Sequence, residues 1–103
     1  MNERKVTGVV VDAGHGGSDP GAVNGNLKEK DLNLKAAQYM YKRLQELGIP
    51  TVIIRDYDED LSRADRLKRA NQAFGGSKDA ILIANHINAG GGDTYFVIKS
   101  NCI

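Results

Sequence analysis

At 103 residues and 11.2 kDa, with 41% hydrophobic and 26% charged residues, the chain reads as one soluble domain with no room for a second. Fourteen Lys plus Arg against thirteen Asp plus Glu leave a formal charge of +1. Both signs are interspersed along the chain, which argues against a nucleic-acid binder driven by phosphate neutralisation and against a polybasic membrane anchor. The single cysteine, Cys102, excludes an internal disulfide and a thiolate metal site, so any metal must be held by His and carboxylate.

Met1 to Lys5 is polar and charged and leads straight into a strand, without the apolar segment a signal peptide needs. No apolar run approaches the ~20 residues that span a bilayer. The expectation is a chain made in the cytoplasm that reaches any external target by lysis or release. Val6 to Val11 is β-branched and almost continuously apolar, as in a strand covered on both faces. A glycine-rich loop follows, Asp12 to Ala22, and then a turn-prone Asn24-Gly25-Asn26. From about Asp31 the apolar period becomes helical: Leu34, Ala37, Tyr41 and Leu44 recur in steps of three and four, widened by Met40 and Leu47 and stopped by Gly48 and Pro50. Thr51 to Ile54 reads as a second strand, and the helix before it is long enough for a parallel crossover.

Asp56 to Asp60 reads as an acidic surface turn, and Ser62 with Asp65 as a capping box for a helix running to Phe74. Leu61, Ala64, Leu67, Ala70 and Phe74 form the buried side of that helix in this reading, and Arg63, Arg66, Lys68 and Arg69 a solvated face. Ala80 to Ala84 is a third strand that delivers Asn85, His86, Ile87 and Asn88 at its carboxyl end. Beyond the glycines at 90–92, Tyr95 to Ile98 can form a short terminal strand. The fold class is therefore α/β: a mainly parallel twisted sheet with flanking helices, in the order β-α-β-α-β plus a short final strand.

The only two histidines occupy equivalent places, His15 just past the first strand and His86 just past the third. In open α/β sheets that carboxyl rim is where ligands bind. Glu29, at the start of the first helix, can return its carboxylate to the same rim. Two imidazoles and a carboxylate form the His2Glu set that holds catalytic zinc while leaving a position for water. Each residue also has a plainer reading. His15 can be a solvated loop histidine, His86 a satisfied core histidine, and Glu29 a first-turn carboxylate favoured by the helix dipole, a role Asp31 could share. The glycine loop lacks the G-x-G-x-x-G and Walker patterns of a phosphate cradle, because position 19 is Asp and no Lys-Ser or Lys-Thr follows. Cys102, the penultimate residue, reads as a terminal thiol rather than a nucleophile.

Three segments taken in order resemble a known family. Val9-Val10-Val11-Asp12-Ala13-Gly14-His15-Gly16-Gly17-Ser18-Asp19-Pro20-Gly21-Ala22, then Leu27-Lys28-Glu29-Lys30-Asp31-Leu32-Asn33-Leu34, then Asn85-His86-Ile87-Asn88-Ala89, are similar to the successive motifs of the zinc-dependent N-acetylmuramoyl-L-alanine amidases of family 3, found in autolysins, sporulation lysins and phage endolysins. Arg66 with Ala70-Asn71 also fits the pattern. The resemblance implies that His15, Glu29 and His86 ligate Zn2+. It also implies that the substrate is peptidoglycan, cut between the lactyl group of N-acetylmuramic acid and L-alanine. Asn85 stands where the family usually has serine. Family domains also continue past this length and carry a second glutamate, the general base, in that later part. Residues 1–103 then correspond to the first, larger portion of an amidase-like catalytic domain, with the catalytic base beyond Ile103. Three readings follow: an amidase acting on the wall after release, a zinc- and peptidoglycan-binding fragment with weak or no turnover, and another zinc hydrolase of ordinary peptides. Oligomeric state is left open.

Overall fold

The computed structural model describes residues 6–77 and 79–87, and the backbone of Thr94–Ser100. Met1 to Lys5, Asn88, Ala89, the glycines at 90–92 and Cys102, all part of the sequence reading, lie outside the described residues. In chain order the elements are β1 (Gly8–Ala13), β2 (Val23–Asn24), β3 (Leu27–Lys28), α1 (Glu29–Glu46), β4 (Thr51–Ile53), α2 (Arg63–Gln72) with a 3₁₀ turn (Ala73–Gly76), β5 (Ala80–Ile87) and β6 (Thr94–Ser100).

One four-stranded sheet, ordered β4-β1-β5-β6, organises the chain. β4 and β5 flank β1 in parallel, with Val11 opposite Ile53 on one side and Ile83 on the other. β6 runs antiparallel to β5, pairing Ile87 with Thr94, and is longer than the four residues its sequence suggested. All six residues of β1 are buried, as a central strand requires. Successive side chains of β1 feed two separate cores. Val9, Val11 and Ala13 pack with Ala37, Met40 and Leu44 of α1, whereas Val10 packs with Ala70, Ala73, Phe74 and Leu82 beneath α2. The helices thus cover opposite faces. The chain leaves β1 for β4 on one side and crosses back to β5 on the other, so the strand order reverses at β1. In open α/β sheets such a point of reversal is where ligands bind.

Helix boundaries differ from the sequence reading for local reasons. α1 starts at Glu29 rather than Asp31. No side chain caps it. The carbonyls of Ala22 and Pro20 instead accept from the N–H groups of Glu29 (2.8 Å) and Lys30 (3.0 Å), so its first turn is satisfied by the glycine loop folding over it. Leu47, expected on the apolar stripe, is the C-cap residue and is exposed. α2 has both halves of the Ser62–Asp65 capping box but ends at Gln72, because Phe74 and Gly75 turn left-handed. Its expected buried stripe is wrong in part: Ala64 and Leu67 are exposed. The inward line is Arg66, Ala70 and Ala73, in steps of four and three, with an arginine in the place where an apolar residue was expected.

Candidate metal centre

The carboxyl ends of β1 and β5 and the start of α1 meet at one rim of the sheet. There His15, Glu29 and His86 each present a donor atom, and the three atoms lie within 4.8 Å of one another. His15 Nε2 is 3.0 Å, and His86 Nδ1 3.5 Å, from the same Glu29 oxygen, Oε2. The rings meet edge-on with centroids 5.2 Å apart. Donors around a tetrahedral zinc with ~2.0–2.1 Å bonds sit about 3.3 Å apart, so this trio fits a small divalent cation. Asp31, the alternative carboxylate, is exposed and stands outside the trio.

Glu29 is buried and held from several sides. Oε1 accepts from Ala22 N–H at 3.1 Å, and Oε2 accepts from Ile87 N–H at 3.0 Å and from Asn33 Nδ2 at 3.2 Å. Burial alone would raise its pKa. The Ile87 and Ala22 amides and the Asn33 side chain outweigh that effect and hold the carboxyl below its ordinary value, which keeps it charged. Asn33 is fully buried, one helical turn after Glu29, and also donates to Gly14 O at 3.0 Å. Asn85 backs it by donating from Nδ2 to Asn33 O at 3.1 Å.

His15 sits at φ 64°, a backbone conformation uncommon outside glycine and frequent at functional sites. Its Nδ1 lies 2.7 Å from Asp19 Oδ2. Two glycines make room for the ligands. A Cβ on Gly14 would stand 2.5 Å from His86 Cε1, and one on Gly21 would stand 2.7 Å from His15 Cδ2 and 2.8 Å from Glu29 Oε1.

The surroundings extend one expectation and correct another. The segment Asp56 to Asp60 is a largely exposed turn, as read, and it also clamps the His15 loop. Asp58 accepts from Gly17 N–H and from Lys30 Nζ, both at 2.7 Å, and Asp60 accepts from Ser18 N–H at 2.7 Å. Nor is the arginine face of α2 simply solvated. Arg66 pairs with Asp12 and donates to the carbonyls of Ala13 and His15, while Arg69 donates to Ile54 O at 2.8 Å and Glu59 Oε1 at 2.6 Å. Burial raises the Asp12 pKa, and Arg66 only partly offsets it.

Arg55 escaped the sequence reading. It is fully buried and donates to the carbonyls of Ala13, Tyr57, Gly14 and Lys30 at 3.0–3.3 Å. No local pattern marks it. Asn33, by contrast, lies one turn after Glu29 on α1, a spacing that could have flagged it, whereas Asp19 is brought to His15 by the closing of the glycine loop.

An α/β sheet with a His-Glu-His cluster at the carboxyl ends of its strands is an arrangement that could hold a metal ion. Residues 9–99 match the family described as N-acetylmuramoyl-L-alanine amidase, and the chain belongs to it. It is 38% identical over 95 residues to YqiI of Bacillus subtilis (strain 168), covering 85% of this chain and 43% of that one. It is 34% identical over 91 residues to the germination-specific N-acetylmuramoyl-L-alanine amidase of the same organism, covering 79% and 38%. Among solved structures it is similar to the catalytic domain of CwlV, an N-acetylmuramoyl-L-alanine amidase of Bacillus (Paenibacillus) polymyxa var. colistinus. That match has a TM-score of 0.71 at 31% identity and covers 81% of this chain and 46% of the other. The chain thus spans about two fifths of the length of these two curated relatives.

Proposed function

We propose that the protein is a zinc-dependent hydrolase of the amide bond between the lactyl carbonyl of N-acetylmuramic acid and L-alanine in peptidoglycan, with His15, Glu29 and His86 as the zinc ligands. The observation that carries this reading is the convergence of three donor atoms within 4.8 Å at the carboxyl rim, in a chain of the amidase family. When bound, zinc supplies Lewis-acid polarisation of the scissile carbonyl and activates water at neutral pH. Glu29 contributes negative charge to the site, held ionised by its amide donors. Asp58 and Asp60 fix the loop that carries His15, and Gly14 and Gly21 keep the approach to the ligands open. In the hydrolysis the water oxygen bonds to the lactyl carbon, the C–N bond breaks, and the alanine nitrogen takes a proton. Resemblance to the family implies that a second glutamate transfers this proton, and such a group contributes ~10² to 10⁴ in rate.

A second reading, with which the 46% coverage of the CwlV catalytic domain is compatible, is a fragment that holds zinc and binds peptidoglycan with weak or no turnover. One experiment separates the two. Purified peptidoglycan is digested with the 103-residue chain and zinc, with a chelator control, and scored by mass for new stem peptides beginning in alanine. Chelator-sensitive release is the expected result. Retained zinc without release selects the fragment, and release of fragments cut at another peptide bond selects a different hydrolase. Equally low zinc content in wild type and Glu29→Ala would remove the ligand assignment.

A further inference from the structure

The His15 backbone is held by Arg66 and its loop by Asp58 and Asp60, but these contacts leave the rotation of the imidazole about its side-chain bonds unfixed. Asp19 supplies the missing constraint. The backbones of Gly16 and Asp19 exchange two hydrogen bonds, at 2.9 and 3.0 Å, which closes the loop and brings the Asp19 side chain back over His15. One carboxylate oxygen, Oδ1, accepts from Gly21 N–H at 3.1 Å, and this aims the other, Oδ2, at His15 Nδ1, 2.7 Å away. The far ring nitrogen, Nε2, then faces Glu29 Oε2 at 3.0 Å.

We propose that Asp19 is a positioning residue of the metal centre, accepting a hydrogen bond from His15 Nδ1 so that the Nε2 lone pair is turned toward Glu29 to receive a divalent cation. The inference rests on the proposed metal centre and extends it to a residue that touches no ligand position itself. A carboxylate behind a ligating imidazole fixes its tautomer and raises its basicity, and loss of such a partner weakens metal binding by about ten- to a hundredfold. Asp19 is 64% exposed at its side chain, so its replacement leaves the cores untouched.

The test measures zinc affinity of the full chain by competition with a chromophoric chelator, for wild type, Asp19→Ala and Asp19→Asn. Cobalt(II) absorption serves as a spectroscopic signature of ligand geometry, and thermal melting of the metal-free proteins reports folding. Asp19→Ala is expected to lose about ten- to a hundredfold in affinity and to shift the cobalt spectrum while melting close to wild type. Asp19→Asn keeps one acceptor oxygen for His15 and is expected to lose less than tenfold. Wild-type affinity in Asp19→Ala, or an equal loss in Asp19→Asn, overturns the proposal. If Asp19→Ala does not fold, Asp19→Asn decides, and a loss of tenfold or more counts against it. A wild type that binds no zinc removes the metal centre itself and the proposal with it, an outcome distinct from the others.

Discussion

Replacing Gly14 with alanine tests the site through one methyl group. Gly14 is buried and its φ lies outside the left-handed region, so alanine meets no backbone strain there. The new Cβ would stand 2.5 Å from His86 Cε1, 2.6 Å from His86 Nδ1 and 2.9 Å from Asn85 O. Reaching ordinary contact at 3.4 Å requires a retreat of about 0.9 Å by the His86 ring. Catalytic and metal constellations tolerate only about 0.5 Å, so the donor set should be broken while the fold survives. Overpacking costs roughly 1–3 kcal/mol, and the reduced freedom of the unfolded chain returns about 0.4–1. The metal-free variant should therefore be about 1–2 kcal/mol less stable by denaturant titration. Zinc affinity by chelator competition should fall at least tenfold, as an order of magnitude for a displaced ligand. Leu67→Ala, at a residue 49% exposed, is the control and should stay within about 0.5 kcal/mol with unchanged affinity. A Gly14→Ala chain that keeps both stability and zinc affinity would refute the packing argument and the place of His86 in the site.

Arg55→Met should destabilise the chain by about 1–3 kcal/mol in the same titration, since the carbonyls of Tyr57 and Lys30 lose its donors while Asn33 still serves Gly14 O and Arg66 still serves Ala13 O, and an unchanged midpoint would contradict the network. Ser62→Ala should cost about 1 kcal/mol through the lost cap and leave zinc affinity unchanged, because α2's N-terminus lies outside the donor set. Asp58 and Asp60 have folded-state pKa values below the ordinary 3.8, held down by Lys30 and by Ser18 respectively. The unfolded chain then binds more protons in that range. Their contribution is fully present above about pH 4 and lost as pH falls through the folded values. Asp12, raised by burial, acts in the opposite sense. Denaturant midpoints measured from pH 6 to 2.5 should fall on acidification, and fall less in Asp58→Asn; identical profiles for the two proteins would dismiss the clamp.

The clamp also shows where local reading ends. Asp56 to Asp60 has the composition of a solvated turn, and only the folding of β1's loop against it reveals Gly17 and Ser18 as its partners. Likewise, period analysis treats every arginine on α2 as polar and outward. Arg66 nonetheless lies on the inward line, because the carbonyls of Ala13 and His15 and the carboxylate of Asp12 at the end of β1 provide the acceptors that make its partial burial tolerable.

Short-range physics determined the order of strands and helices, the parallel pairing of β1 with its neighbours, the Ser62 cap, and the candidate trio of His15, Glu29 and His86. These features are written in periodicity, in capping chemistry and in the scarcity of histidine, all of which a chain displays in one dimension. Tertiary structure alone decided which residues of α2 face inward, how α1 begins without a cap, and which partners hold the trio in place. Arg55, Asn33, Asn85 and Asp19 act on carbonyls, amides or ring nitrogens brought near them by the reversal of strand order at β1 or by the closing of the glycine loop. A polar side chain records its own hydrogen-bonding capacity in the sequence, but the partner that uses it is chosen only when the backbone closes around it.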